Sequence, residues 1–317
     1  YIQLLRRSLY PATLAQGKIK TVATFRYLEQ HGLEIMPWRY TGLMHMCLQW
    51  RHPKLLKCTK EGDLVVPCLS CPHPGINLPD GWENDVEHHD NYSVKVTEDT
   101  NFRLKEQLVS SHSRDPGLVE GLGYFVGRSD YEKYVISRAS EADAIAKATT
   151  KFSKGLRYTG VGSMLCARSE IFLANRVGNL QEGEHYANMD YVFGSALHHY
   201  RGLPLCIVGY DIVCQWFAHI HERSKDLWPN KIKLDNGMDL VPVIGKFHEP
   251  AHETNNHEQY SCNLIPRVGC TDFEACKRIW GLHNPLGNST KTMGPGTRSD
   301  SLEAHFGYHN WQKYTNM

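Results

Sequence analysis

The chain has 317 residues, 41% of them hydrophobic and 22% charged, with a formal net charge of +1 and an isoelectric point near 7.7. Those values fit a folded globular protein with room for one enlarged core or two modest ones, and they exclude a globally basic nucleic-acid-binding surface, so any polyanion site must be a local patch. No apolar run approaches the ~20 residues that span a membrane, no secretory leader is visible, and the start at Tyr1 leads us to expect a piece of a longer protein. The 10 cysteines are scattered rather than framed, which fits intracellular thiols with one metal site better than a secreted disulfide network.

Residues 1–66 read as helical and basic, with apolar residues at helical intervals in TVATFRYLEQHGL and GLMHMCLQWRHPKLLK and Arg or Lys between them. A solvated basic face and a phosphate-contacting face both fit that pattern. Cys68-Leu-Ser-Cys71 follows, then the turn-dense PHPGINLPDGW. Two thiolates two residues apart make half of a tetrahedral zinc site, and Cys166 is the best-placed third ligand. Ser169, where a fourth would be expected, is a poor ligand, and a pair of buried thiols remains the alternative reading.

SVKVTED alternates as a short, half-exposed strand, ending in the carboxylate of Asp99. Residues 129–152 form the clearest helical segment, with Ser140 three residues before Asp143. TGVGSMLCAR reads as a strand, and a polar loop carrying Asp190 runs into a further helix. The run from Leu203 to Gly209 is almost wholly apolar and reads as a buried strand. It delivers Asp211 to its C-terminal end, where open α/β sheets place their chemistry, although an Asp there also caps a following helix.

LVPVIGKFH is another strand, and Pro242 makes it an edge. His248-Glu249-Pro250-Ala251-His252 matches the HExxH zinc-peptidase pattern, with Glu274 further on as a formal third ligand for His248 and His252. That chemistry needs both imidazoles on one face of a continuous helix, and Pro250 opposes it. Thr271 and Glu274 have the spacing of a capping box, yet a glutamate on a helix beside the Asp211 strand would equally be the last acid of a metal cluster. The glycine-rich tail, with Lys291 and Arg298, suits backbone and phosphate contacts.

The blocks CLSCPHPGINLPDGWE, DTNFRLK, DPGL, TGVG with CAR, GNLQEGEHYANMDY, GYDIVCQW, KFHEPAH, GCTDFEA and TKTMGPGTRSDSLEAHFG together resemble the Kyakuja-Dileera-Zisupton transposases, over nearly the whole chain. Residues 1–66 resemble the tail of the cysteine-cluster domain that precedes the transposase. The resemblance implies an α/β, RNase H-like core over residues 67–317, a mixed sheet flanked by helices, with a helical insertion at about 110–200. It implies an Asp-Asp-Glu set carried by Asp99, Asp211 and Glu274, holding Mg²⁺ or Mn²⁺ for cleavage and transfer of DNA strands, and a nuclear protein that acts on transposon ends and target DNA, as a homo-oligomer and without a membrane. A structural Zn²⁺ is implied too. The pattern departs from the family at Lys277, where a second glutamate is expected, at Asn256, where a cysteine is usual, at Ser169, where a histidine is usual, and in NYSVKVTE, where an apolar run precedes the first Asp. Those departures support a second expectation, a catalytically inactive, DNA-binding remnant.

Overall fold

A computed structural model describes residues 60–139, 154–252 and 258–316. Most of the basic N-terminal segment, the expected cap at Ser140 and the departure at Asn256 lie outside the described residues. The described chain is a mixed α/β fold. Its strands are β1 (Val94–Asn101), the two-residue β2 (Glu106–Gln107), β3 (Leu156–Tyr158), β4 (Gly160–Cys166), β5 (Phe172–Leu180), β6 (Leu205–Gly209) and β7 (Asp239–Val243). Its α-helices are α1 (Arg128–Ala139), α2 (Tyr186–His198), α3 (Val213–Trp216), α4 (Ile220–Asp226), α5 (Ala275–His283), α6 (Leu286–Thr290) and α7 (Pro295–Thr315). None of the described helices is long and apolar enough to cross a membrane.

Five strands form one sheet in the order β5-β4-β1-β6-β7. On one side of β1 the neighbours β4 and β5 pair antiparallel; on the other β6 and β7 run parallel to it. β6 is buried along its whole length, as the unbroken apolar run required of a strand covered on both faces. β7 lies at the sheet edge, and Pro242, which cannot donate to a ladder, sits where only one neighbour is needed.

β1 departs from expectation. It is the central strand and is buried over most of its length rather than half-exposed. Side chains alternate across a strand, so Val94, Val96 and Glu98 face one side and Lys95, Thr97 and Asp99 the other. Val94 and Val96 pack with Met189, Val192 and Phe193 of α2 and with Trp216. The polar partners on the other face are satisfied by distant backbone: the Lys95 amine donates to the carbonyls of Arg267 (2.7 Å) and Val268 (2.8 Å), and the Thr97 hydroxyl to that of Phe273 (2.8 Å). The alternation that reads as solvent exposure is therefore a buried face whose hydrogen bonds cross the chain.

A second core cluster joins β4 and β5 to α5 and α7 through Val161, Leu165, Phe172, Ile279, Leu302 and Phe306. Phe172 stacks on Phe306 with ring centroids 4.1 Å apart, and each such buried ring contributes roughly 1.5–3 kcal/mol. α7 starts at Pro295, which suits the first helical turn, and its Glu303 holds the segment before α1 by accepting from the amides of Tyr124 (2.9 Å) and Phe125 (2.8 Å).

Candidate active site

β1 and β6 set two carboxylates side by side. Thr97 faces Gly209 in the parallel register, so Asp99 and Asp211, each two residues further on, emerge at the same ends of adjacent strands. Neighbouring strands lie about 4.8 Å apart. Asp99 and Asp211 line one cavity, together with Tyr210, His248, Glu274 and Lys277. Each aspartate accepts from the next amide in the chain, Thr100 N–H at 2.7 Å and Ile212 N–H at 2.9 Å, which orients one carboxylate oxygen and leaves the other toward the cavity.

Glu274 arrives from the far wall. It is the N-cap residue of α5, and its own amide donates to Asp272 Oδ1 at 3.0 Å, so the expected capping box from Thr271 is replaced by an Asx-type turn. The residue before it, Phe273, has a φ of 57°, a left-handed conformation that is strained for a bulky side chain. Gly209 permits this turn, since a Cβ there would meet the Phe273 ring at 2.5 Å; at Gly245 a Cβ would collide with the Glu274 carboxylate. Glu274 Oε1 accepts from the Phe247 amide at 3.0 Å and lies 3.3 Å from His248 Nδ1. Lys277 bonds His248 Nε2; an ammonium can only donate, so Nε2 accepts and the imidazole proton sits on Nδ1, facing Glu274.

Two further acids belong to this neighbourhood. Glu184, just before α2, accepts from Thr100 Oγ1 (3.0 Å) and from the Tyr210 hydroxyl, which ties it to both acid-bearing strands. Sequence reasoning passed over it; the signal available was a Glu-Gly-Glu run leading into a helix. Glu98 is buried, and among the described residues neither carboxylate oxygen has a hydrogen-bond partner. Burial, followed by the charges of Asp190 and Glu184, pushes its carboxyl well above the usual range. Burial and then the Asp211 charge push Asp99 up to about 7, against the lowering effects of the Thr100 amide and Lys277. Asp190 lies elsewhere: it is pinned by Arg223 (2.8 and 2.9 Å) and by the indoles of Trp216 and Trp228.

An acid whose proton is held by burial and then by neighbouring negative charge marks a candidate place for a cation, and an all-oxygen donor set suits a hard divalent ion. The three carboxylates share a cavity without closing on one point. Among the described residues, the group of three or more metal-binding side chains whose ligand atoms all lie within 4.8 Å of one another is Cys68, Cys71 and Cys166.

These thiols come together because the turn at Cys68–Cys71, closed by a Cys71 amide to Cys68 carbonyl bond of 3.2 Å, packs on the end of β4. Cys71 and Cys166 sulfurs lie 3.5 Å apart, and the Cys68 sulfur is 2.9 Å from the Ser169 hydroxyl. Hydrogen bonds from Cys68 and then Cys71 hold the Cys166 thiol well below its ordinary range. Three buried thiols within reach of one another fit a soft tetrahedral ion, with Ser169 at the fourth corner.

Other expected site residues are not so placed. Residues 249–251 form one turn of 3-10 helix and His252 is extended, so the HExxH helix does not form. His248 faces Glu274 and Lys277, whereas His252 Nδ1 lies 3.8 Å from the Cys214 sulfur, so the two imidazoles do not converge on one ion and neither joins the thiol cluster. Pro250 and the preceding strand explain this. Arg298, expected as a phosphate contact, is fully buried, bonded to Asn179 Oδ1 (2.7 Å) and the Leu104 carbonyl and paired with Glu106 at 3.7 Å. Lys291 caps α6 and is half-buried.

An acid-lined cavity at the ends of parallel strands in a mixed sheet defines a class of α/β protein with a candidate metal-dependent site. Its family is shown by comparison: residues 92–310 match the family model described as Kyakuja-Dileera-Zisupton transposase, and the chain belongs to that family. The matched span contains Asp99, Asp211 and Glu274 and leaves Cys68 and Cys71 outside. No curated protein and no solved structure matches the chain.

Proposed function

We propose that this transposase-family chain is of the DDE type, cutting and joining DNA strands in the nucleus with Asp99, Asp211 and Glu274 as ligands of Mg²⁺ or Mn²⁺. The observation that carries this reading is the shared cavity: two aspartates at the ends of adjacent parallel strands, with a glutamate on the opposite wall. The sheet order, in which only β4 runs against the central β1 while β5, β6 and β7 run with it, supports an RNase H-like assignment. Bound there, divalent cations would neutralise charge on phosphoryl oxygens and acidify a water near neutral pH.

The chain's own residues do the rest. The Thr100 and Ile212 amides fix one oxygen of each aspartate, and Glu184, held by Thr100 and Tyr210, adds negative charge behind them. With its carboxyl near 7, Asp99 would give up its proton to a bound cation in the neutral range. His248, with its proton on Nδ1, orients Glu274. The thiol cluster would hold a structural Zn²⁺ that fastens the 68–71 turn to the sheet.

A second reading, a family member that binds DNA without cutting it, is favoured by Lys277, whose ammonium stands in the cavity, and by the engagement of Glu274 Oε1 with Phe247 and His248. Mg²⁺- or Mn²⁺-dependent nicking of DNA carrying element ends separates the two. Nicking that is abolished in Asp211→Ala supports the enzyme, and equal residual nicking in both proteins supports the second reading.

A further inference from the structure

A second cavity, of about 480 Å³, opens near the beginning of β1, between the 69–72 turn and the loop before it. It is lined by the cationic side chains Lys95, Arg168 and Arg267 and by the carboxylate of Asp90. Asp90 pairs with Arg267 at 3.1 Å. Arg168 is held in place by the Ser93 carbonyl (2.9 Å), the Ser70 carbonyl (3.2 Å) and the Ser93 hydroxyl (3.0 Å), and Lys95 by the carbonyls of Arg267 and Val268. Among the described residues, Lys95 and Arg168 therefore bond neutral oxygens alone. Three cationic side chains thus face one polar cavity whose lining, among the described residues, holds a single carboxylate, Asp90, itself paired with Arg267. Burial, and then the Arg168 charge, hold the Lys95 amine below its usual range against the opposing effect of Asp90, and an anion in the cavity would offset the Arg168 repulsion.

We infer that this cavity is a binding site for a phosphate-class oxyanion, recognised by Lys95, Arg168 and Arg267. Forked N–H groups of an arginine and the point charge of an ammonium are the donors that tetrahedral oxyanions take. The site is separate from the acid cavity, because Lys95 precedes Asp99 by four residues, roughly 13 Å along a strand. The oxyanion comes either from free phosphate or from a nucleic-acid backbone, and both present the same oxygens.

Calorimetric titration of the full chain with inorganic phosphate in low-salt buffer tests the site. Saturable binding is expected, weakened about tenfold in Arg267→Gln and strengthened several-fold in Asp90→Asn, which removes the competing carboxylate. Both residues are about half exposed, so both variants should keep the wild-type melting temperature. A second arm adds a short DNA duplex: displacement of phosphate by the duplex assigns the site to a nucleic-acid phosphate, and independent binding of the two assigns it to the free anion. The inference is overturned by no saturable phosphate binding up to about 10 mM, or by affinities that neither variant changes.

Discussion

The Thr97 hydroxyl donates to the Phe273 carbonyl at 2.8 Å, and this bond joins the strand that carries Asp99 to the turn that carries Glu274. Because Phe273 is held at a φ of 57°, that turn depends on contacts from elsewhere to persist. Thr97→Val keeps the shape and strands a buried carbonyl. It should cost about 1–2 kcal/mol in denaturant unfolding and weaken divalent-cation binding, while Thr97→Ser should retain both. Unchanged cation affinity in Thr97→Val would separate the turn from the site.

The Asp99 carboxyl, at about 7, sits above the ~3.9 of an unfolded chain, so the native state binds this proton more tightly. Its contribution to stability is fully present below about pH 4 and is lost as pH rises through about 7. Metal-free protein should therefore melt at a lower temperature at pH 8 than at pH 5. Asp99→Asn should flatten that slope, and millimolar Mg²⁺ should restore the pH 8 value in the wild type alone. A slope that survives in Asp99→Asn would assign it to other groups.

Burial and neighbouring acids raise the Glu98 carboxyl, and among the described residues neither of its oxygens has a hydrogen-bond partner, so the fold carries this acid at a cost. Replacement by the similarly sized, apolar Met should stabilise the fold, by on the order of 1 kcal/mol at pH 8, with a smaller gain at pH 5, because a raised carboxyl costs the wild type more as pH rises. Urea unfolding at the two pH values checks both sign and difference. Destabilisation at both would mean that Glu98 has a partner in the working protein.

At the thiol cluster, Ser169→Cys changes one atom at the corner 2.9 Å from Cys68 and should raise Zn²⁺ affinity at least about tenfold, read by competition with a chromophoric chelator. Cys166→Ala should abolish stoichiometric binding. If Ser169→Cys binds no more tightly, the fourth corner lies elsewhere.

Much of the sheet was legible because its signals are local. The apolar run ending at Gly209 is what a strand covered on both faces needs, and Pro242 marks the edge strand that β7 turns out to be. What was illegible depends on partners far along the chain. Lys95 and Thr97 read as solvent-facing until residues 267, 268 and 273 supply their acceptors. Arg298 has the chemistry of a phosphate contact and instead neutralises a buried Glu106. Glu184 enters the acid cluster through Thr100 and Tyr210, on two other elements, so no spacing within its own segment announces it. Ser169, a departure from the family pattern, nonetheless occupies the place beside the thiols that such a ligand would take.

Electron paramagnetic resonance titration with Mn²⁺ near pH 7.5 tests most directly whether the acids act as one cation site. We predict saturable binding that falls at least about tenfold in each of Asp99→Asn, Asp211→Asn and Glu274→Gln, with the half-buried Glu249→Gln, which does not line the acid cavity, unchanged. Wild-type affinity in Asp211→Asn would contradict the account.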